Sequence, residues 1–266
     1  MEYRVKGNDI ELFQRDFTLD DTLDCGQAFR WTKISDNAYS GFFLDKPLTI
    51  TEDGNGYFTF KDTTEKDFLN VWAEYFDLNT DYGKLKELFS EDATLKKACE
   101  YAGGIRLLKQ DSWEALCSFI ISQNNNIPRI KAIINRMCEH YGHFPKADEL
   151  AKETPESLEF LRAGFRAKYI IDAGKKIADR EINLESVREM PIEQARETLI
   201  KIKGVGAKVS ECTLLFGMYR TEAFPIDVWI KRVLAEYYPN GFPEKFSDYA
   251  GIAQQYLFHY MRTAEK

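Results

Sequence analysis

The spacing of hydrophobic and polar positions changes once along the chain, near residue 64. Between Phe29 and Lys61, short aromatic and β-branched runs alternate with turn residues such as Asp53-Gly54-Asn55-Gly56, and this pattern predicts an antiparallel sheet. From Thr64 onward, apolar residues recur three and four positions apart, which predicts helices. The clearest helical segments are TEKDFLNVWAEYF, SWEALCSFIIS, IPRIKAIINRMCEHYG and IEQARETLIKI. The expected fold is therefore α+β, with an N-terminal antiparallel β lobe followed by two mainly helical lobes.

Composition indicates an ordinary globular chain and argues against several other classes. No apolar run approaches the roughly 20 residues that a membrane span needs, and MEYRVKGNDI lacks the apolar core of a secretory signal. We therefore expect an intracellular protein with no membrane partner. The five cysteines are odd in number and widely spaced, so neither a disulfide framework nor a CxxC metal site is predicted.

The net charge of −7 argues, by itself, against a polyanionic partner. Its distribution weakens that argument. Residues 1–98 hold 12 basic and 20 acidic side chains, whereas residues 200–234 hold 6 basic and 3 acidic ones. A local basic face is therefore compatible with the overall charge.

Residues 191–220 predict two helices joined by the hairpin Lys203-Gly204-Val205-Gly206. Gly204 and Gly206 leave the backbone bare and tolerate positive φ. Successive N–H groups and the positive end of the second helix can therefore bind one phosphate oxygen. A Gly-x-Gly is by itself more often a plain tight turn, so the surrounding residues must decide between the two interpretations.

Lys208 lies in the first turn of the second predicted helix, where a cation opposes the helix dipole by roughly 0.3 to 1 kcal/mol. Our hypothesis is that the helix N-terminus and Lys203 disfavour the ammonium form, so that a neutral amine can attack a sugar C1′. Attack would displace a base, form a Schiff base and permit β-elimination of the 3′ phosphate. The alternative is a solvated lysine on a surface helix.

Asp227, in FPIDVWIKRVL, precedes another amphipathic segment and follows Pro225. One interpretation is a plain helix N-cap. The other is a carboxylate that stabilises the positive charge of an oxocarbenium-like sugar and assists proton transfer. The residues alone leave both interpretations open.

These residues resemble the helix-hairpin-helix glycosylase superfamily, whose hallmark is such a hairpin followed by Pro-[Ile/Val]-Asp, here Gly204-Val205-Gly206-Ala207-Lys208 and Pro225-Ile226-Asp227. The lysine is typical of its bifunctional members. Further motifs, over most of the chain, resemble the 8-oxoguanine DNA glycosylases. The resemblance implies a glycosylase/lyase of base excision repair, with Lys208 and Asp227 as catalytic residues. Its partner would be double-stranded DNA containing an oxidised purine opposite cytosine, and no metal or organic cofactor is implied.

Four residues are implied to bind the extruded base. Gly26, in CGQAFRW, resembles the glycine whose carbonyl accepts the N7 hydrogen that 8-oxoguanine carries and guanine lacks. Gln254 would read the Watson–Crick edge, and Phe258, four residues later on the same helical face, would stack on the base. Cys212, one turn after Lys208, would contact the other face of the base. Taken singly, each residue is also compatible with an ordinary core or surface role.

Two further motifs resemble the family's segments that fill the gap and read the opposite base. In SQNNNIPR, Asn124 would fill the space left by the flipped nucleotide and Arg129 would bind the widowed cytosine. In GFRAKY, Phe165 would wedge into the base stack and Arg166 would read the cytosine. The alternatives are a polar helix N-cap near Asn126 and an ordinary helix start.

The chain departs from the family pattern at Trp229, where many relatives have histidine. No histidine role is therefore carried over, and an altered pH dependence is expected. Cys25 and Pro128 are milder departures. Some related enzymes carry a C-terminal four-cysteine iron-sulfur cluster, but the last cysteine here is Cys212, so that cluster cannot form.

The expected organisation has three parts. Residues 1–100 form the β lobe with its following helices, and residues 101–240 form a helical lobe that includes the hairpin (191–217). Residues 241–266 form a C-terminal helix that packs back to complete the base pocket. We expect a monomer, associated with the nucleoid in the cytoplasm if the source is prokaryotic. Two other functions stay open: an alkylpurine glycosylase, which would use aspartate and water without a lysine, and a non-catalytic DNA-binding module.

Overall fold

The structure, a computed structural model, describes residues 1–264. The chain forms two compact units. Residues 1–109 together with 226–264 are called the β unit below, and residues 110–225 are called the hairpin unit. The last two residues of the expected segment 241–266 lie outside the described residues.

The β unit contains one six-stranded antiparallel sheet, in the order β1-β2-β6-β5-β4-β3. The strands are β1 Glu2–Lys6, β2 Asp9–Phe13, β3 Trp31–Ser35, β4 Ala38–Phe43, β5 Lys46–Glu52 and β6 Tyr57–Lys61. The last four strands confirm the antiparallel sheet predicted after Phe29. The predicted turn is also present, because the Asp53 carboxylate accepts the backbone N–H groups of Asn55 at 2.8 Å and Tyr57 at 3.0 Å.

The β1–β2 hairpin was not predicted. It turns at Gly7, which has a φ of +63°, and pairs Lys6 with Asp9. Four of the five β1 side chains are exposed, so this strand shows little of the apolar alternation by which strands are recognised. Ile10 and Leu12 on β2 are fully buried and anchor the hairpin to the rest of the sheet.

The inner face of the sheet packs against an aromatic core. Alternate residues such as Phe58 and Phe60 point inward because side chains along a strand alternate between its two faces. Trp72 and Phe76, from the helical segment that follows β6, cover them. Trp31 is also buried, and its indole N–H donates to the Tyr75 hydroxyl at 2.7 Å, which satisfies a polar atom inside an apolar core.

Helices make up most of the remainder, as predicted. Those of the β unit are α1 Leu19–Leu23, α2 Glu65–Asp67, α3 Ala73–Tyr75, α4 Tyr82–Phe89, α5 Ala93–Tyr101, α13 Val228–Tyr237 and α14 Ala250–Thr263. Those of the hairpin unit are α6 Ser112–Ile121, α7 Ile127–Tyr141, α8 Ala147–Leu150, α9 Arg166–Ala178, α10 Leu184–Glu189, α11 Ile192–Ile200 and α12 Ala207–Cys212. None of the helices within residues 1–264 combines the length and apolar character that crossing a bilayer requires.

Capping residues set the ends of α7 where the sequence predicts them. The Asn126 side chain accepts the backbone N–H of Arg129 at 3.0 Å, which satisfies one of the free donors of the first turn. Gly142 ends the helix with a φ of +75°, a conformation that glycine adopts without steric cost.

Helix α6 is the central helix of the hairpin unit. Eight of its ten residues are buried, and it packs against α7, α9, α12 and the wide helical turn Thr213–Gly217 that continues α12. The helix ends at Ser122. The asparagine-rich segment 122–126 therefore begins from the best-buried helix of this unit.

Candidate active site

Lys208 is the second residue of α12 and is partly buried. Its Nζ donates a hydrogen bond to Ser122 Oγ at 3.0 Å and lies 5.2 Å from the centre of the Phe119 ring. Within the hairpin unit, no carboxylate lies within 4.0 Å of this nitrogen. The side chain is thus held in one place without a counter-ion from its own unit.

The hairpin between α11 and α12 rests on α9. Gly204 has a φ of +79°, and its Cα faces the ring of Tyr169 so closely that no side chain fits between them. The Asp172 carboxylate accepts the backbone N–H of Lys203 at 2.7 Å. Gly206, by contrast, is exposed, and no neighbouring atom of the described residues lies within 4 Å of the position that a Cβ would occupy there. The hairpin is therefore anchored at Gly204 and open at Gly206.

The side chains of Arg196 and Glu211 form an ion pair that joins α11 to α12. Glu211 also accepts the backbone N–H of Phe224 at 2.7 Å. Hydrogen bonding to Glu211 raises the pKa of Arg196. These contacts fix the orientation of α12, and hence the direction from which Lys208 extends.

Arg166 supports the backbone of the asparagine-rich segment 122–126. Its guanidinium is almost fully buried and donates to the carbonyls of Gln123 (2.8 Å), Asn124 (2.8 Å) and Ala163 (3.1 Å). Burial, followed by the charge of Arg129, lowers the pKa of Arg166. In this structure Arg166 therefore supports the segment, and binding a base would require it to exchange these carbonyls.

Asn124, Arg129 and Phe165 are exposed, as their predicted contacts with DNA require. Asn124 has a φ of +46°, which presents its side chain from a tight turn. The Arg129 guanidinium donates a long hydrogen bond, 3.4 Å, to the carbonyl of Arg162. The ring of Phe165 is 47% exposed and meets the ring of Tyr169 edge to face, with 5.6 Å between ring centres.

Asp227 belongs to the β unit, where it is the N-cap of α13. Its Oδ1 accepts the backbone N–H groups of Trp229 at 3.0 Å and Ile230 at 2.9 Å. Oδ2 makes no hydrogen bond to the residues of this unit that the structure describes. The capping interpretation is thus confirmed, and one carboxylate oxygen is left for another role.

Trp229 is the residue at which the sequence departs from the expected family pattern. It is partly exposed, and the Arg232 guanidinium lies over its ring at 4.9 Å. A tryptophan can donate only through its indole N–H and does not titrate. This position therefore supplies no pH-dependent charge.

The base-pocket candidates of the β unit come from the 25–27 turn and from α14. Gly26 has a φ of +88°, and the Gln255 amide donates to the carbonyl of the preceding Cys25 at 3.3 Å. Gln254 is 4% exposed, and its Oε1 is buried without a hydrogen-bond partner among the described residues. The ring of Phe258 is partly exposed and lies under the Arg262 guanidinium at 5.5 Å.

Two ionisable groups next to these candidate residues have shifted pKa values. Burial raises the pKa of the Cys25 thiol to about 11, so this thiol stays protonated near neutral pH. Burial, reinforced by the charge of Arg262, lowers the pKa of His259. In the hairpin unit, Cys212 is also buried, one turn after Lys208.

Several residues that hold the candidate site residues or their neighbours in place were given no role by the sequence: Ser122, Phe119, Tyr169, Asp172 and Gln255. Three of them lie inside or directly beside motifs that the sequence analysis singled out. Their partners are 31 residues away for Asp172 and 86 residues away for Ser122, so spacing along the chain carries no signal for them. Among residues 1–264, no group of three His, Cys, Asp or Glu side chains is placed to hold a metal ion.

Two family models match adjacent parts of the chain. Residues 9–116 match the N-terminal domain of 8-oxoguanine DNA glycosylases. Residues 117–245 match the HhH-GPD superfamily of base excision DNA repair proteins.

Individual relatives extend these matches over the whole chain. An N-glycosylase/DNA lyase of Saccharomyces cerevisiae is 31% identical, over 84% of this chain and 69% of its own. A solved structure of MBOgg1 with a low affinity DNA ligand superposes with a TM-score of 0.94 at 40% identity, covering 100% of both chains. The Clostridium acetobutylicum 8-oxoguanine glycosylase/lyase, solved with double-stranded DNA containing cytosine opposite 8-oxoguanine, has a TM-score of 0.92 at 36% identity, over 100% of this chain and 99% of that one.

Proposed function

This chain belongs to the 8-oxoguanine DNA glycosylase family of helix-hairpin-helix base excision repair proteins, and we propose that it excises 8-oxoguanine opposite cytosine through a Schiff base on Lys208. Membership of the family makes it a DNA N-glycosylase with lyase activity. The proposal adds the damaged base, its partner base and the covalent nucleophile. The proposed substrate is duplex DNA, and the enzyme acts as a monomer. Its proposed location is intracellular, at the nucleoid if the source is prokaryotic.

One observation carries the proposal. The nitrogen of Lys208 is held by Ser122 at 3.0 Å and has no carboxylate partner within its unit. A lysine that served only to bind phosphate would be expected to be fully exposed, and a lysine with a structural role would be expected to form an ion pair. A lysine that must attack as a neutral amine needs a defined position and no counter-ion to stabilise its charged form.

The reaction balances with groups that the chain and the substrate supply. The lone pair of Nζ attacks C1′, and the glycosidic bond breaks with its electron pair passing to the base. A proton lost from the attacking nitrogen ends on the departing base. Opening of the sugar ring gives an iminium between C1′ and Nζ, while the C1′–O4′ electron pair and a proton from solvent form the O4′ hydroxyl. A solvent water then takes a C2′ proton, and the 3′ phosphate leaves with the C3′–O electron pair as a C2′=C3′ double bond forms. Addition of water to C1′ finally releases Lys208.

Asp227 is assigned the electrostatic part of this reaction. As positive charge develops on the sugar, a carboxylate stabilises it, and the same group assists transfer of the proton to the base. The cap bonds use Oδ1 only. They hold the side chain in place and leave Oδ2 for the substrate.

Recognition of the base is assigned to Gly26, Gln254, Phe258 and Cys212. The carbonyl of Gly26 accepts the N7 hydrogen that marks the oxidised base. The buried Oε1 of Gln254, which has no partner among the described residues, suits the N–H donors on the Watson–Crick edge of a purine. Burying an unpaired amide oxygen costs free energy, and binding such an edge would recover it. Phe258 is assigned to stack on the base, and Cys212 is assigned a contact with the base.

The remaining assignments concern the DNA strands. Asn124 fills the gap left by the flipped nucleotide, while Arg129, Phe165 and Arg166 contact the orphaned cytosine and its stack. The backbone N–H groups around Gly204 and Gly206 bind a phosphate of the damaged strand. Such binding needs few lysines, which accommodates the acidic net charge of the chain.

Borohydride trapping tests the proposal, because only a Schiff base becomes a permanent link to DNA on reduction. The substrate is a duplex with one 8-oxoguanine opposite cytosine, and an undamaged duplex serves as the reference. Wild type should give a lesion-dependent covalent band that Lys208→Gln abolishes. Lys175→Gln, the same change at an exposed lysine of α9, should trap like wild type.

Three results would contradict the proposal. Binding without trapping or base release would identify a DNA-binding module. Base release that persists in Lys208→Gln would indicate direct attack by water, as in an alkylpurine glycosylase. Equal trapping on damaged and undamaged duplexes would remove 8-oxoguanine as the substrate.

A further inference from the structure

We propose that Ser122 is a positioning residue for Lys208, whose hydroxyl accepts a hydrogen bond from Nζ and thereby directs the lone pair of the amine toward the sugar. The proposal deepens the proposed function and rests on it, because it concerns the nucleophile of that reaction. It is carried by two hydrogen bonds that meet at Ser122 Oγ and by the rigidity of the helix end on which this residue lies.

The direction of the hydrogen bond follows from the serine's other partner. A hydroxyl has a single hydrogen and two lone pairs. Ser122 Oγ donates that hydrogen to the carbonyl of Phe119 at 2.8 Å. Toward Lys208, 3.0 Å away, it can therefore only accept.

The direction of this hydrogen bond determines whether the lone pair of the amine is free to attack. A neutral amine has two N–H groups and one lone pair. If a hydroxyl donated to the nitrogen, it would occupy the lone pair that must attack C1′. Since Ser122 accepts instead, it uses one N–H, and the tetrahedral nitrogen points its lone pair away from the serine.

The same acceptor also serves the intermediate. The iminium nitrogen keeps one N–H and carries positive charge, and hydrogen bonds from charged donors are stronger than those between neutral groups. The face of the Phe119 ring, 5.2 Å from Nζ, is likewise favourable for a cation. Both contacts therefore persist as the neutral amine becomes the cationic Schiff base.

The acceptor is fixed in place by its surroundings. Ser122 ends α6, and its backbone N–H donates to the carbonyl of Ser118 at 2.9 Å. The Phe119 ring is stacked on Phe216, with 5.0 Å between ring centres. On the other side, Arg166 holds the carbonyl of Gln123 at 2.8 Å. Ser122 thus has little freedom to follow a moving lysine, which is what positioning requires.

The experiment compares three variants in single-turnover borohydride trapping from pH 5.5 to 9 on the 8-oxoguanine:cytosine duplex. Ser122→Ala removes the acceptor, and Ser122→Thr keeps a hydroxyl. Ser210→Ala is the matched control, because Ser210 Oγ also donates to a carbonyl three residues earlier, that of Ala207 at 2.9 Å, but does not bond to Lys208. Binding is measured separately on a duplex with a stable tetrahydrofuran abasic analogue, and folding by thermal unfolding.

We expect Ser122→Ala to lower the plateau rate by roughly 3- to 10-fold, the equivalent of one hydrogen bond, with duplex affinity unchanged. The midpoint of its rate–pH profile should also move to lower pH, because a hydroxyl acceptor stabilises an ammonium more than a neutral amine. Loss of packing alone would lower the rate without moving the midpoint. Ser122→Thr should restore the wild-type midpoint.

Two results would overturn the inference while leaving the proposed function intact. One is a Ser122→Ala profile that matches Ser210→Ala in both plateau and midpoint. The other is a rate loss that Ser122→Thr does not restore, or that is accompanied by an equal loss of duplex affinity. Absence of trapping in wild type would instead refute the proposed function itself.

Discussion

The ring of Tyr169 fills the space that a side chain at Gly204 would need. A methyl group built on Gly204 would lie 2.2 to 2.5 Å from three carbons of that ring, and the backbone of Gly204 has a φ of +79°. Tyr169 also touches Phe165, with 5.6 Å between ring centres. Tyr169 of α9 therefore contacts both the hairpin, at Gly204, and Phe165, the residue proposed to wedge into the stack of the opposite DNA strand.

Gly204→Ala should destabilise the protein by about 2 to 4 kcal/mol, because it adds both a strained backbone conformation and a steric overlap. Gly206→Ala is the matched change two residues later. The added methyl group would meet no other part of the described chain within 4 Å, and the φ of −106° at Gly206 suits any residue. The stability of Gly206→Ala should therefore stay within about 1 kcal/mol of wild type. Urea unfolding measures both. Equal losses would show that Tyr169 yields to the added methyl group.

Arg166 and Arg129 are both proposed to read the opposite base, but the structure predicts different costs for replacing them. Arg166→Lys loses a buried fork that binds three carbonyls, which a point-like ammonium cannot replace. We expect a loss of about 2 kcal/mol or more in unfolding free energy. Arg129→Lys changes an exposed side chain and should cost less than about 0.5 kcal/mol.

Because Arg129 is exposed, its functional role can be tested without a loss of stability. Arg129→Lys should reduce the preference for cytosine opposite the lesion, measured as a ratio of single-turnover rates, in a normally folded protein. If Arg166→Lys proved as stable as Arg129→Lys, the carbonyl contacts of Arg166 would contribute nothing to the fold.

Gln254 and Gln255 are neighbours on α14 with opposite expected effects on stability. The Oε1 of Gln254 is buried and has no hydrogen-bond partner within residues 1–264, so Gln254→Met should leave stability unchanged or raise it by about 1 kcal/mol. Gln255 donates to the carbonyl of Cys25, so Gln255→Met should lower stability by about 1 kcal/mol. Thermal unfolding compares the two directly.

Excision assays complete this comparison. Gln254→Met should slow release of 8-oxoguanine by about tenfold or more, since the proposed base-binding group is lost from a stable protein. A stabilised Gln254→Met that excises at the wild-type rate would remove Gln254 from base recognition.

His259 should make stability depend on pH on the acid side. Burial and Arg262 lower its pKa below the ordinary 6.5, while Asp21 and Asp24 act in the opposite direction. A histidine with a depressed pKa binds fewer protons in the folded state than in the unfolded one, so stability rises with pH between the two pKa values. Its full contribution is present above about pH 6.5 and is lost progressively as the pH falls toward the folded-state pKa.

The measurement is the free energy of unfolding at pH 8 and at pH 5. His259→Gln should lose less stability between these values than wild type does. If both proteins lost the same amount, the buried position of His259 would not be the cause.

Much of this architecture was predictable from residues that lie close together along the chain. The sheet from Trp31 to Lys61, the helix between Asn126 and Gly142, and the pair of helices around Gly204 and Gly206 all follow from short patterns. Caps, turns and amphipathic repeats act within one or two helical turns, so they are legible in a single sequence. The order of the motifs then indicated the family, which the similarity to known proteins confirmed.

What supports the candidate site was decided only by the tertiary structure. Ser122 meets Lys208 across 86 residues, and Asp172 meets Lys203 across 31. The inward orientation of Arg166 and the burial of the Gln254 side chain are likewise invisible in the residue order. Such contacts depend on how helices pack side by side, and packing is set by shape and burial across the whole unit. Local pattern named the candidate residues, and the packed core determined what holds each of them in place.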